Sequence, residues 1–260
     1  MTNEEIMMPV LFVGHGNPMN AVEETPFAAA WREEAGRFPK PKAILCVSAH
    51  WETNGAQVTA MERPRTIHDF YGFPEELYQV QYPAPGSLEL AERVRELAGT
   101  QEVTADESWG LDHGTWSVVR RMYPAADIPV VQLSLDRVRS PREHVALARA
   151  LQQLRGEGVL ILGSGNLVHN LPLMRWGDET PYPWAEEFDK LAAELIMSGD
   201  LDSLADYTGL GESARLSIPT NEHYLPLLYA PALRLPDEPI SFFAEGIVLG
   251  SVSMRSFRIG

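Results

Sequence analysis

Histidines are the residues of this sequence whose type and placement could support chemistry. There are seven in 260 residues, and three follow short apolar runs rich in Val, Ile and Leu. Such runs are typical of buried strands, and the loops at the carboxyl ends of parallel strands converge on one edge of a sheet, where ligands bind. We therefore predict that three histidines meet there: His15 after residues 9–13, His50 after residues 43–47 and His169 beyond residues 159–162.

Two further histidines stand at predicted loop entries. His223 comes at the start of a predicted helix, and His113 comes shortly before residues 118–123. A single histidine after a strand is more often a hydrogen-bonded loop residue than a ligand. Five at such positions favour a site for one divalent metal ion, because neutral imidazole is a good ligand for first-row metals.

The remaining two histidines receive other interpretations. His144 lies inside the predicted helix of residues 140–154 beside Glu143, so we expect it to be an exposed helix residue. His68 lies in residues 62–85, a stretch rich in Pro, Gly and aromatic residues that we predict to be an ordered flap near the site. His68 either reaches the substrate from this flap or is a local partner of Asp69.

The elements that must position these histidines alternate along the chain. Apolar runs at residues 9–13, 43–47, 129–133 and 159–162 predict buried strands, and residues 87–97, 140–154 and 184–198 predict amphipathic helices. Alternation of this kind predicts an α/β fold: a single catalytic domain over residues 1–260, with a central, mostly parallel or mixed sheet flanked by helices. Residues 247–259, interrupted by Gly250, predict antiparallel edge strands at the C-terminus.

Composition excludes several classes of function. A formal net charge of −15 disfavours binding to nucleic acid or to anionic membrane surfaces. No uninterrupted apolar run reaches the ~18 residues of a membrane span, so the cytoplasm is the default location. The single cysteine, Cys46, excludes a thiolate zinc finger and an iron–sulfur cluster, and its apolar neighbours predict a buried, inert thiol. Ser48 and Ser164 lie near histidines, but neither sits in the G-x-S-x-G turn of a serine hydrolase.

Several blocks of sequence, spread over nearly the whole chain, resemble the class III extradiol ring-cleavage dioxygenases, and most of all their 4,5-DOPA dioxygenase branch. The blocks include Gly14-His15-Gly16-Asn17-Pro18-Met19-Asn20, Ser48-Ala49-His50-Trp51, Ile67-His68-Asp69-Phe70-Tyr71-Gly72-Phe73-Pro74, Trp109-Gly110-Leu111-Asp112-His113-Gly114, Asn166-Leu167-Val168-His169-Asn170 and Pro219-Thr220-Asn221-Glu222-His223-Tyr224.

The resemblance implies a role for each histidine of these blocks. His15, His50 and His223 become the metal ligands. His169 becomes either a fourth ligand in a zinc form or the acid/base of an iron form, and His113 becomes an acid/base or substrate-orienting group. Many class III enzymes have a carboxylate where this sequence has His223, although Glu222 is adjacent. Three neutral ligands suit zinc as well as iron.

The activity implied by the resemblance is the extradiol opening of a DOPA-like catechol by O2. Fe(II) is the metal expected for that reaction, and Zn(II) is plausible in the same site. The alternative is a zinc-dependent hydrolase using the same histidines, and a non-catalytic binding module ranks last because all five histidines are present. Trp51, Tyr71, Phe73 and Tyr224 either line an aromatic pocket or belong to the core, and Arg63 or Arg65 could pair with a substrate carboxylate.

Overall fold

Four parallel strands form the centre of a mixed eight-stranded sheet in the computed structural model, which describes residues 7–260. The order across the sheet is β4-β3-β5-β2-β6-β1-β10-β7, and β8 pairs with β9 in a separate two-stranded sheet. The strands are β1 (Val10–Gly14), β2 (Ala43–Thr53), β3 (Ala56–Thr59), β4 (Val103–Asp106), β5 (Val130–Asp136), β6 (Val159–Gly165), β7 (Ile240–Ala244), β8 (Ile247–Val248), β9 (Val252–Ser253) and β10 (Ser256–Ile259).

The predicted α/β class with a mixed sheet is confirmed. β5, β2, β6 and β1 pair in parallel, and β1, β5 and β6 are buried along their whole length. Strands buried on both faces read as continuous apolar runs, which is why the sequence revealed them. The antiparallel edge consists of β10, paired with β1, and of β7 outside it. The edge strands predicted within residues 247–259 are therefore divided: β8 and β9 form their own pair, and β10 enters the main sheet.

Helices cover both faces of the sheet. A capping box begins the helix that follows Ser140, because the Ser140 side chain accepts from the Glu143 backbone N–H and the Glu143 side chain accepts from the Ser140 backbone N–H. In the described part of the chain, no helix is long and apolar enough to cross a membrane. The helices are α1 (Pro26–Ala35), α2 (Glu75–Tyr78), α3 (Leu88–Ala98), α4 (His113–Met122), α5 (Pro141–Ala150), α6 (Pro183–Ser198), α7 (Leu201–Ala205), α8 (Glu212–Ser217) and α9 (Leu225–Ala232).

The core has two parts, one on each face of the sheet. On one face α1 and α4 contribute the fully buried Trp31 and Trp116. On the other face α6 and α9 contribute Phe188 and Tyr229. Cys46 in β2 is completely buried, and burial raises the pKa of its thiol, so the prediction of an inert cysteine agrees with the structure.

Three strands escaped the sequence prediction. β3 and β4 are four residues each and contain polar residues such as Gln57 and Thr104, and β7 has a half-buried pattern. Short strands of this kind gain their hydrogen bonds only from neighbours that are distant in sequence, so their own residues carry a weak signal.

His144 contradicts its prediction as an exposed helix residue, because its side chain is completely buried. Its Nδ1 lies 3.0 Å from the hydroxyl of Tyr229 in α9, and its Nε2 lies 3.2 Å from the carbonyl of Asp136 at the end of β5. A histidine can satisfy both ring nitrogens inside a core, and the pairing of α5 with α9 provides those partners.

We predict that His144 makes folding stability depend on pH in mildly acidic solution. Burial lowers the pKa of His144 to about 4, whereas a histidine in an unfolded chain titrates near 6.5. Between these values the unfolded state binds a proton that the folded state does not, so stability is retained above pH 6.5 and is lost as the pH falls towards 4. The loss is about 1.4 kcal/mol per pH unit at most, or about 3 kcal/mol in all.

Urea unfolding of metal-free protein from pH 7.5 to 4, with His144→Asn as the comparison, checks this expectation. The variant should show a shallower loss of unfolding free energy over that interval, because it lacks the titrating group. Parallel profiles for the two proteins would contradict the prediction.

Candidate metal centre

Three histidines bring their ring nitrogens together at the carboxyl end of the central strands. His15, His50 and His223 each offer one nitrogen, and these nitrogens all lie within 4.8 Å of one another. The Nε2 atoms of His15 and His50 are 3.1 Å apart. Two of the histidines predicted to meet at this edge, His15 and His50, are therefore close together, and His223 joins them from the turn before α9.

Two of these histidines are delivered by adjoining parts of the sheet. His15 follows the last residue of β1, and its backbone N–H donates to the carbonyl of Gly165 at the end of β6 over 3.1 Å. His50 lies within β2, although the sequence placed it after a strand. The pairing of β2 with β5 shifts register between Val47 and Glu52, and an irregularity of this kind re-aims the side chains that it contains.

His223 comes from the turn before α9, as predicted. Its carbonyl accepts from the backbone N–H of Asn166 over 2.8 Å, which ties this turn to the end of β6. Gly165 makes that approach possible, because a Cβ at this position would overlap the carbonyl oxygen of His223. The glycine is therefore required by close packing of two backbones.

A serine next to His15 determines which ring nitrogen of this histidine carries the proton. Nδ1 of His15 lies 3.0 Å from Oγ of Ser164, and the Ser164 hydroxyl donates to the carbonyl of Gly114 over 2.6 Å. Because that hydroxyl proton is already used, Oγ must accept from Nδ1–H of His15. The lone pair of His15 is therefore on Nε2, the atom that faces His50.

Carboxylates determine which ring nitrogen carries the proton in the other two histidines. Nδ1 of His50 lies 3.3 Å from Oδ2 of Asp69, and Nδ1 of His223 lies 3.0 Å from Oε1 of Glu222. An ionised carboxylate only accepts, so the nitrogen that faces it carries the proton. His50 and His223 thus also keep Nε2 free as a lone pair, in the arrangement common behind metal-bound histidines.

This donor set favours a cation. With both ring protons on Nδ1, the Nε2 lone pairs of His15 and His50, 3.1 Å apart, repel one another unless a positive charge lies between them. A proton is disfavoured, since burial lowers the pKa of His50 to about 3 and holds the pKa values of His15 and His223 well below their usual range. Nitrogens about 2.0–2.1 Å from one tetrahedral metal ion are about 3.3 Å apart, so the residues fit a divalent metal.

The remaining two site histidines lie against this triad. The ring of His169 stacks on that of His223, with centroids 3.4 Å apart and planes 11° apart. His113 begins α4 and is nearly buried, and its ring centroid is 3.9 Å from that of His50. All five histidines named from the sequence are therefore brought together, and burial lowers the pKa of His169 to about 4.

Several polar residues around the histidines have contacts that the sequence did not predict. Asp69, Ser164 and Glu222 contact the site histidines directly. Behind His50, Ser48 donates to the buried Asp112 over 2.7 Å, and Gln132 donates to the same carboxyl over 2.7 Å. Adjacent motif residues were the available signal, because Asp69, Asp112 and Glu222 each lie one residue from a histidine.

The flap is ordered and lies against the site. His68 binds the carbonyl of Val80 through Nε2 over 2.9 Å, so its partner is in the flap itself and is not Asp69. Phe70 meets the ring of His113 edge-on at 5.5 Å, and Phe73 packs against Phe70. Tyr71 is 92% exposed.

The other aromatic and cationic candidates have structural partners. Trp51 is buried and stacks on Trp109, and Tyr224 is buried with its hydroxyl on the carbonyl of Leu204. Both therefore belong to the core. Arg65 is exposed and donates to the carbonyl of Trp109, and Arg63 is also exposed.

Comparison with known proteins gives this site a family. Residues 9–229 match the model of the catalytic LigB subunit of aromatic ring-opening dioxygenase. The chain is 49% identical over 258 residues to 4,5-DOPA dioxygenase extradiol of Escherichia coli K12, covering 97% of this chain and 95% of that protein. It is 39% identical over 234 residues to the Beta vulgaris protein of the same name, covering 87% of each.

A solved structure agrees with these relatives. The crystal structure of an uncharacterized protein from Escherichia coli K12 superimposes with a TM-score of 0.85 and 46% identity, covering 97% of this chain and 100% of that one. The matched region contains every histidine of the triad. The chain belongs to the LigB family of aromatic ring-opening dioxygenases.

Proposed function

We propose that this protein is an extradiol dioxygenase that opens the ring of a catechol such as DOPA with O2, using one Fe(II) ion bound by His15, His50 and His223. One observation carries the proposal: two buried histidines and the half-buried His50 bring one ring nitrogen each to a single point, and a polar partner behind each ring places its proton on Nδ1. The names of the relatives support the substrate class. We also propose that residues 1–260 act as one catalytic domain in the cytoplasm.

The metal would supply the redox-active centre at which a catechol and O2 meet. Zinc lacks redox chemistry, so the same ligands occupied by Zn(II) would leave the protein inactive as an oxygenase. We therefore infer that Fe(II) is the functional metal, although the neutral donor set also accepts zinc.

His113 and His169 are the residues that we assign to proton transfer. Both rings adjoin the triad, and neither belongs to the group formed by His15, His50 and His223. A catechol loses hydroxyl protons when it binds a metal, and a neutral histidine within reach accepts one. Burial lowers the pKa of His169 to about 4, so this ring is neutral at pH 7 and its lone pair is not already protonated.

The flap would exclude water from the reacting ring. Phe70 faces His113 and packs with Phe73, so the flap presents apolar side chains beside the proton-transfer residue. Removing water from such a site strengthens its electrostatic interactions. We assign Phe70 to contact with the catechol ring on this ground.

An oxygen electrode tests the proposed function. Protein reconstituted anaerobically with Fe(II) should consume O2 when given DOPA and should accumulate a coloured, conjugated semialdehyde. Protein loaded with Zn(II) should do neither. Hydrolytic activity with Zn(II) and no O2 uptake with Fe(II) would instead support the zinc hydrolase, and no O2 uptake with any catechol would refute the dioxygenase.

A further inference from the structure

Asp69 is a carboxylate of the flap that reaches two histidines from different elements. Its Oδ2 lies 3.3 Å from Nδ1 of His50 in β2 and 3.0 Å from Nδ1 of His113 in α4. Its other oxygen, Oδ1, accepts from the backbone N–H of His113 over 2.9 Å. The side chain is 17% exposed, so these contacts are largely shielded from water.

The backbone around Asp69 is held by the fold. The N–H of Ile67 donates to the carbonyl of Leu111 over 2.7 Å, and the indole N–H of Trp116 donates to the carbonyl of Ile67 over 2.8 Å. Trp116 lies in α4, the helix that begins with His113. The segment that carries Asp69 is thus fastened to the element that carries one of its partners.

One oxygen serves both histidine rings. The contact of Oδ2 with Nδ1 of His50 is long at 3.3 Å, and its 3.0 Å contact with Nδ1 of His113 falls short of full hydrogen-bond geometry. This is the geometry of a single acceptor shared by two donors. Although burial raises the pKa of Asp69, its hydrogen bonds from His113 and the nearby His113 and His50 rings lower the pKa below the usual value.

We propose that Asp69 is a positioning residue that orients the metal ligand His50 and the proton-transfer residue His113 together through one carboxylate oxygen. The assignment of His50 and His113 rests on the proposed function. In this role Asp69 acts through the two rings and does not itself bind the metal. It fixes the proton of each ring on Nδ1 and so leaves both Nε2 atoms free, one for the metal and one for the substrate proton.

Asp69→Asn tests this assignment because it preserves shape and removes the charge. An amide can keep the backbone hydrogen bond of His113 through its oxygen, but then its NH2 group faces both Nδ1 atoms. The rings would then favour the tautomer with the proton on Nε2, the atom that must bind the metal. Loss of such a partner behind a ligand typically weakens metal affinity about 10–100-fold.

The first measurement is independent of catalysis. Zn(II) affinity is obtained by competition with a chromophoric chelator, and ¹⁵N spectra of metal-free protein report which nitrogen of His50 and His113 carries the proton. We expect Asp69→Asn to weaken zinc binding about 10–100-fold and to move imidazole protons from Nδ1. Glu75→Gln, an exposed carboxylate of the same flap, is the matched control and should change neither.

A double variant separates the two rings. In a His113→Gln background, Asp69→Asn should still weaken zinc binding, because that effect passes through His50. Its additional effect on kcat should shrink, because the proton-transfer partner is already absent. Unfolding midpoints of the metal-free variants exclude a general loss of structure, and Asp69→Ser is measured in the same way if the asparagine variant does not fold.

Wild-type zinc affinity and unchanged imidazole spectra in Asp69→Asn would overturn the proposal. A zinc affinity that falls equally in Glu75→Gln would also overturn it. The outcome is distinguishable from failure of the proposed function, since a wild-type protein that consumes no O2 could still show the loss of zinc affinity in Asp69→Asn.

Discussion

Replacement of His15, His50 or His223 with alanine is expected to abolish metal binding and ring cleavage together. Each variant removes one of three imidazole donors, and the two that remain cannot complete the site. The loss should exceed the ~10–100-fold that follows from removing a partner behind a ligand. Metal content after dialysis and O2 uptake with Fe(II) measure the two effects.

The same series assigns His169 and His113. We expect His169→Gln and His113→Gln to keep metal affinity and to lose turnover, because their rings adjoin the triad without belonging to it. His144→Asn provides a control, since that histidine is buried between α5 and α9 and takes no part in the site. Metal loss in His169→Gln as severe as in His15→Ala would make His169 a fourth ligand.

The second large effect is expected from one methyl group at Gly165. In Gly165→Ala the new Cβ would overlap the carbonyl oxygen of His223, so the turn that carries this ligand must move away from β6. Overpacking of this kind costs about 1–3 kcal/mol of stability. A displacement of about 1 Å at a catalytic group can reduce kcat about 10²-fold.

Gly209→Ala is the matched control for this variant. The nearest atom to a Cβ at Gly209 is 3.8 Å away, which is ordinary van der Waals contact. Zinc affinity, O2 uptake and the urea unfolding midpoint are measured for both proteins. We expect Gly165→Ala to lose affinity and activity while Gly209→Ala matches the wild type. Equal metal affinity in the two variants would show that the approach of β6 to His223 does not position the ligand.

The charge of the donor set bears on which metal the protein binds. The three histidines that we propose as ligands are neutral donors, and Glu222 contacts Nδ1 of His223, which under this proposal places the carboxylate behind a ligand. Three neutral ligands therefore neutralise less of the charge of a bound divalent ion than a set that includes a carboxylate. Because such a set suits both Fe(II) and Zn(II), the two metals are compared in the oxygen electrode.

Much of the fold was predictable from local sequence. Buried parallel strands such as residues 9–13 and 159–162 are continuous apolar runs, because both of their faces are covered. The start of α5 was also predictable, because its capping serine, Ser140, is followed directly by a proline at the first helical position. By contrast β3, β4 and β7 depend on partners far along the chain, and their short, partly polar sequences gave no strong pattern.

The candidate histidines were predictable because of where they occur, at the ends of strands and the starts of helices. The strand ends predicted that His15, His50 and His169 would meet at one edge of a sheet, and the family resemblance added His113 and His223 to the same site. The sequence prediction for His144 was wrong, because nothing in the sequence of an amphipathic helix indicates that the hydroxyl of Tyr229 will be its buried partner. Only the packing of α9 against α5 places the His144 side chain in the core.

Only the tertiary structure decided which nitrogen of each histidine is free. That choice depends on Ser164 behind His15, Glu222 behind His223 and Asp69 behind His50, and these contacts join residues as far apart as 149 positions. The tautomer of a histidine is set by the atom that faces each ring nitrogen, and the sequence around a histidine does not show which atom that will be. The sequence therefore identified the histidines as candidate metal donors, and only the folded structure determined which of their nitrogens point towards a common site.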